Sequence, residues 1–267
     1  MTISAYDLLE RVREQKPLVH HLTNWVTIYD CAQVVKTLGA SPVMAHAPEE
    51  AADMAQLASA LVLNIGTLTS DFVGSMQLAA RAANTKGIPV ILDVCGAGAT
   101  PFRDQKCFEL LDAVRIDVIK GNASEVARIA GASVRTRGVD ATEVAGDLAA
   151  LARQLARARH ATVVVTGPQD LVAGASQAVL VRNGHPLMTR VVGTGCMAAS
   201  VIGAFAAVES DRVNAATAAL ACYEIAAELA VEQGAGPGTF KERLFDCLAS
   251  LDRPTCERRQ RIQSLGN

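Results

Sequence analysis

Residues 60–100 read ALVLNIGTLTSDFVGSMQLAARAANTKGIPVILDVCGAGAT. Two short runs, Ala60–Ile65 and Val90–Val94, are apolar at consecutive positions, which a strand tolerates only when both of its faces are covered. Between them Asp71–Lys86 carries helical spacing. Each strand exits into a glycine-bearing turn, Asn64-Ile65-Gly66-Thr67 after the first and Asp93-Val94-Cys95-Gly96-Ala97-Gly98-Ala99-Thr100 after the second. Strand, helix and strand in this order imply a right-handed crossover in a parallel sheet. The pattern extends both ways. Further strands are expected at Leu18–Leu22, Val43–His46, Val118–Lys120 and Thr162–Thr166, and helices at Asn24–Leu38, Glu49–Ser59 and Thr142–Arg159. Near Asp170 it changes: Leu171–Ala173 and Ala178–Val181 flank a turn at Gly174-Ala175 and read as a hairpin on the sheet edge. Three helices follow, at Thr194–Val208, Arg212–Glu232 and Phe240–Leu251. Arg253–Asn267 reads as a frayed, solvated tail. No repeat or linker divides the chain, so residues 1–267 are expected to form one α/β domain.

Composition agrees with layered helices on a sheet. The 267 residues are 50% hydrophobic but only 4% aromatic, and the net charge is −2. That hydrophobicity excludes disorder, and the even charge excludes broad nucleic-acid binding. The uncharged run that starts at Val191 and ends against Glu209 is about 18 residues long, the lower limit for a membrane span. It opens with a glycine turn, and the remaining helix of about 14 residues rises only about 21 Å, so a buried soluble helix is expected. The N-terminal segment has no apolar leader core. Seven cysteines without a Cys-x-x-Cys pair point to a reducing cytoplasm. Six of them read as small buried hydrophobes, and Cys196 stands apart.

In open α/β sheets ligands sit at the carboxyl ends of the strands, so the polar residues there are the candidates. No P-loop or dinucleotide fingerprint occurs. Gly193-Thr194-Gly195-Cys196 opens the cleanest helical run, and a glycine turn feeding a helix start offers free N–H groups to an anion. Cys196 would lie in that helix's first turn, where a thiol pKa falls. Asp93 at a strand end either ligates Mg²⁺ or caps its turn, and Glu125 either closes a capping arrangement with Asn122 or faces phosphate-bound Mg²⁺. Lys120 beside them could pair phosphate oxygens. Asn24 reads first as a helix cap, and Met44 as core packing.

Together these segments resemble a known family. Pro17-Leu-Val-His20 with Thr23-Asn24, Leu38-Gly-Ala-Ser-Pro-Val-Met-Ala-His46 and Leu63-Asn-Ile-Gly-Thr-Leu68 are followed by Gly96-Ala-Gly-Ala-Thr-Pro101 and Gly121-Asn-Ala-Ser-Glu125. Asn183-Gly-His-Pro-Leu-Met-Thr189 and Val192-Gly-Thr-Gly-Cys-Met197 complete the series. The chain resembles the hydroxyethylthiazole kinases of the ribokinase-like superfamily. The resemblance implies a three-layer αβα fold and ATP-dependent phosphorylation of 4-methyl-5-(2-hydroxyethyl)thiazole. It implies thiazole contacts at Met44 and Gly193, with Asn24 and Gly66 near them. It also implies ATP contacts at Lys120 and Thr166, Mg²⁺ at Asp93 and Glu125, a base at Cys196, and a homotrimer. Three positions depart from the family pattern: Val94-Cys95 replaces Pro-Val, Lys120 replaces Arg, and Gly167-Pro168-Gln169-Asp170 follows Thr166 where Gly-Glu is usual. The competing readings are a hydroxymethylpyrimidine kinase, an NAD(P)H-hydrate dehydratase on the same fold, and a nucleotide-binding relative without catalysis.

Overall fold

The computed structural model describes residues 4–132 and 141–265. One sheet of nine strands forms its middle layer: β1 (Leu18–Leu22), β2 (Ser41–Val43), β3 (Ala60–Asn64), β4 (Val90–Asp93), β5 (Val118–Asn122), β6 (Thr162–Thr166), β7 (Asp170–Ala173), β8 (Ala178–Val181) and β9 (Ile262–Leu265). The order across the sheet is β2-β1-β3-β4-β5-β6-β7-β8-β9. The first six strands run parallel, and β7, β8 and β9 continue antiparallel.

Alternation along each strand divides its side chains between two helical layers. Val19, Val62, Ile91, Val118 and Val164 face one core, shared with α1 (Ala5–Gln15), α2 (Ile28–Thr37), α8 (Thr194–Ala206), α9 (Arg212–Glu232) and α10 (Phe240–Ala249). Leu61, Leu63, Leu92, Ile119, Val163 and Val165 face the other, with α3 (Ala51–Leu57), α4 (Ser70–Lys86), α5 (Pro101–Ala113), α6 (Ala123–Ile129) and α7 (Ala141–Arg159). This is why the strands read as unbroken apolar runs. Among the described residues no helix is long and apolar enough to cross a membrane.

Helix α8 lies close against the sheet where Gly203 meets β3. A Cβ at that position would fall 2.5 Å from Val62 Cγ2 and 3.4 Å from Val19 Cγ1. Gly203→Ala is therefore expected to overpack this contact and lower stability by about 1–3 kcal/mol, read as an earlier urea midpoint.

Several expectations are corrected. The tail is structured as far as residue 265: α11 (Arg253–Arg259) starts on Asp252, which accepts from Thr255 N at 2.9 Å, and β9 pairs with β8. The hairpin therefore lies inside the sheet edge, because β9 covers β8; residues 266 and 267 lie outside the described residues. The arginines that made this segment look solvated work as anchors, with Arg259 bonded through two nitrogens to Glu232 at 2.6 and 2.8 Å. Strand β2 ends at Val43, so Met44 lies beyond it; the next carbonyl, Ala45 O, is bound by the His20 ring at 2.8 Å rather than by a strand neighbour. Helix α2 starts four residues later than expected, because the Asn24 side chain closes a turn onto Val26 N and Thr27 N, both at 3.1 Å. Helices α1 and α5 were not anticipated; the start of α5 is marked by Thr100, which caps Arg103 N, and by Pro101 at the first position.

Candidate active site

The carboxyl ends of β1, β3, β4 and β5 are neighbours in the sheet, and the polar residues at these ends meet there. Asn64 and Asp93 are in register across β3 and β4, and Asp93 and Lys120 across β4 and β5. Asn64 Nδ2 donates to Asp93 Oδ2 at 2.9 Å, and Lys120 Nζ reaches the same oxygen at 3.2 Å. All three side chains are buried. A buried ion pair needs further hydrogen bonds to offset desolvation, and Asn64 supplies one of them.

Helix α8 brings Cys196 onto this cluster. Its N-cap, Gly193, has φ +98°, and a Cβ there would lie 2.9 Å from Thr27 Cγ2, so both the turn and the close approach of α2 require glycine. The first intrahelical bond runs from Met197 N to Gly193 O at 2.8 Å; the N–H groups of Thr194, Gly195 and Cys196 precede it. Tyr223 on α9 donates to Thr194 O at 3.0 Å and steadies this turn. Lys120 Nζ lies under it, 3.2 Å from where a Gly195 Cβ would stand. The Cys196 sulfur accepts from Asn24 Nδ2 at 3.3 Å and from Asn64 Nδ2 at 3.4 Å.

These surroundings set the protonation states. A hydrogen bond from Cys95 is the main cause that pulls the Cys196 thiol down to about 5, against burial, with help from Thr27, Lys120 and Asn24. Burial pushes Asp93 up to about 7, opposed by the Lys120 ammonium. Burial also disfavours the charge on Lys120, but Asp93, Cys196 and Glu125 together outweigh it and hold Lys120 above the usual lysine value. The site can thus hold a thiolate and an ammonium at neutral pH, beside a carboxyl poised to lose its proton.

The other expected residues surround this centre. Gly66 contacts Asn24, since a Cβ on it would lie 3.1 Å from Asn24 Cβ, and its N–H donates to Asn64 Oδ1 at 2.8 Å. Met44 is half-buried beyond the end of β2, two residues before His46, whose ring packs 4.9 Å from Trp25 and 5.4 Å from Phe72. Glu125 completes the capping box, accepting Asn122 N at 2.7 Å, while its other oxygen accepts Gly96 N at 2.7 Å. It thereby clamps the glycine turn after β4 to the start of α6. Between these two elements lies a cleft of about 630 Å³ lined by Gly96, Gly98, Asn122, Glu125 and Arg128. Thr166 ends β6 opposite Asn122 and donates to Gly121 O at 3.4 Å. Glu125 and Thr166 accordingly lie towards the cleft rather than around the Cys196 sulfur.

Asn64, Thr27 and Cys95 are the site neighbours that the sequence reading did not single out. Asn64 was accessible to it as the polar end of an apolar strand beside Asp93. Cys95 corrects an expectation: it is half-buried rather than a buried hydrophobe.

A mostly parallel sheet whose strand ends meet a glycine turn, a helix start and a buried lysine–carboxylate pair defines this chain as a ribokinase-like α/β protein. A ribokinase-like superfamily protein of Enterococcus faecalis shares the fold at TM-score 0.62 and 13% identity, over 91% of this chain and 93% of that one. Residues 9–254 match the hydroxyethylthiazole kinase family, and the chain belongs to it. It is 50% identical to a hydroxyethylthiazole kinase of Methanosarcina mazei, over 96% of this chain and 98% of the relative. The structure of a hydroxyethylthiazole kinase protein from Pyrococcus horikoshii superposes with TM-score 0.90 at 40% identity, covering 98% of both chains.

Proposed function

We propose that the chain transfers the γ-phosphoryl group of ATP to the primary alcohol of 4-methyl-5-(2-hydroxyethyl)thiazole, the salvage step that feeds thiamine synthesis. The observation that carries the reaction is the Cys196 thiol at the start of α8, held by Asn24 and Asn64 above the Lys120–Asp93 pair. Phosphoryl transfer asks for positioning and charge stabilisation more than for covalent chemistry. In this reading the N–H groups of Thr194, Gly195 and Cys196, with Lys120 beneath, receive the charge that grows on the transferring group. Cys196 takes the alcohol's proton. A thiolate near pKa 5 is a weak base, which suits a loose transition state in which the proton leaves late.

ATP is assigned to the cleft between the Gly96–Ala99 turn and α6, with Thr166 at its edge and Lys120 reaching its phosphates from beneath the Gly195 turn. The residues present fit a magnesium ion: Asp93 Oδ1 is buried without a hydrogen-bond partner, and Mg²⁺ takes only one or two protein carboxylates. Asp93 and Glu125 would hold it, and bound Mg²⁺ would neutralise phosphate charge. Gly193 and Gly66 would leave room for the thiazole, with Asn24 and Met44 beside it.

The rim carries an apolar patch of Trp25, Val26, Tyr29 and Val192, each more than half exposed. Gly193 against Thr27 joins the two segments. Such a patch marks an association surface, and we assign it to a homotrimer, expected to sediment at three times the 28.0 kDa chain mass. A cytoplasmic location belongs to the same reading.

The deciding measurement is ADP formation with Mg²⁺ and either alcohol. Turnover with the thiazole alcohol well above that with hydroxymethylpyrimidine is expected. The reverse preference would assign the chain to the sister reaction, and binding without turnover would leave only a nucleotide-binding relative.

A further inference from the structure

Arg103 joins two turns to which the proposed reaction assigns different substrates. It stands in the first turn of α5, where Thr100 Oγ1 accepts its main-chain N–H at 3.3 Å and Pro101 fixes the backbone at the helix start. From there the half-buried side chain reaches back to the strand ends. Nη1 donates to Ile65 O at 2.8 Å, Nη2 donates to Gly66 O at 2.8 Å, and Nη1 also reaches Cys95 O at 3.3 Å. The first two carbonyls belong to the turn after β3, and the third belongs to the turn after β4. These bonds of the guanidinium thus go to main chain rather than to a carboxylate.

The ladder between β3 and β4 gives out just here. Among the described residues its last main-chain bond runs from Ile65 N to Asp93 O at 3.3 Å. Past that bond each turn is tied to its own side, Gly66 N to Asn64 Oδ1 at 2.8 Å and Gly96 N to Glu125 Oε1 at 2.7 Å. Arg103 spans the two. A rigid fork of fixed donors can hold carbonyls of neighbouring turns at a set separation, which the point charge of a lysine cannot. Space for the fork depends on Gly96, whose φ is +82° and on which a Cβ would fall 2.9 Å from Arg103 Nη1. Glycine there serves the arginine as well as the turn.

The turn after β3 carries Gly66, assigned above to the thiazole side, and the turn after β4 lines the cleft assigned to ATP. Transfer between them requires the alcohol oxygen and the γ-phosphorus at reacting distance, and a misplacement on the order of 1 Å can cost about 10²-fold in rate. We propose that Arg103 is a positioning residue for phosphoryl transfer, holding the alcohol-side turn and the nucleotide-side turn in fixed relation through their main-chain carbonyls. The role rests on the substrate assignment made above.

The test uses the full-length protein and measures ADP formation at saturating ATP, Mg²⁺ and thiazole alcohol. Calorimetry gives Kd separately for the alcohol and for a non-hydrolysable ATP analogue, and urea unfolding gives the folded fraction. In Arg103→Met, kcat of the folded protein should fall about 10²-fold, while both Kd values stay within about threefold of wild type. Arg103→Lys, which keeps the charge without the fork, should remain well below wild type, and it carries the same comparison if Arg103→Met fails to fold. In Arg103→Ala, millimolar guanidinium chloride should restore turnover and sodium chloride should not. An arginine that serves stability alone would lower the unfolding midpoint and leave kcat of the folded protein unchanged, which overturns the proposal. A loss of affinity for one substrate alone, matching the loss of turnover, also overturns it by placing Arg103 in that substrate's own subsite. If the wild type prefers hydroxymethylpyrimidine, the thiazole assignment falls, and the same fall in kcat with that alcohol upholds the positioning role. Absence of turnover with either alcohol overturns both readings.

Discussion

Cys196→Ala is expected to lower kcat by about 10²–10⁴-fold, the usual worth of a positioned base, or about 3–5 kcal/mol of barrier. Cys196→Ser should lose nearly as much, because serine keeps the size and hydrogen bonding but does not ionise near neutral pH. Structural damage is separated by binding: both variants should keep their affinity for the thiazole alcohol. The pH profile gives a second readout. Asp93 takes up a proton near pH 7 and Cys196 near pH 5, and both must be deprotonated to act as proposed. kcat/KM of the wild type should therefore fall below about pH 7 and steepen below about pH 5. The steeper limb should vanish in Cys196→Ser, leaving the one owed to Asp93. A variant within about twofold of wild type would exclude a base role even at the low end of that range.

Lys120→Ala should reduce kcat by about 10²–10³-fold, the cost of losing one charge-stabilising donor. The side chain lies under the Gly195 turn rather than in the open cleft, so the effect should fall on kcat more than on the KM for ATP. An unchanged kcat would sink the assignment. Stability adds an independent signature. Removing one partner of a buried pair usually costs about 3–5 kcal/mol because the other charge is stranded. Here Asp93 can escape by taking a proton. Its folded pKa already lies above the carboxylate value through burial, and loss of the Lys120 attraction raises it further. A group whose folded pKa is raised contributes most below its unfolded pKa and loses that contribution as pH climbs towards the folded one. In the wild type this loss ends near pH 7; in the variant it continues upward. Urea midpoints should therefore separate increasingly above about pH 7 and lie closer below it.

How much of this could be read beforehand depended on the kind of signal. Strands such as Thr162–Thr166 matched to the residue, because the three valines between the terminal threonines are buried on both faces. Strand ends were harder. Val118–Lys120 runs on to Asn122, since register with β6, not residue type, decides where pairing stops. The Arg253–Asn267 tail was misread because its order comes from partners such as Glu232 and strand β8, neither visible in its own composition. At the site, Asp93, Lys120 and Cys196 were found because a charge or a thiol beside a glycine turn is conspicuous. Asn64 was missed because a lone asparagine after a strand also serves as ordinary turn chemistry.

The sequence by itself determined the layered α/β architecture, through apolar runs of strand length alternating with helical spacing, and it marked the glycine turns at Gly66, Gly96 and Gly193. These are local properties, carried by period and by residue type. Only the tertiary structure decided which of the marked residues touch. It placed Cys196 on Asn24 and Asn64 and put Lys120 beneath Gly195, while Glu125 closed a separate clamp. Those distances depend on the order and register of parallel strands and on how closely α8 lies on the sheet. Both follow from the packing of both layers at once, which no single segment encodes.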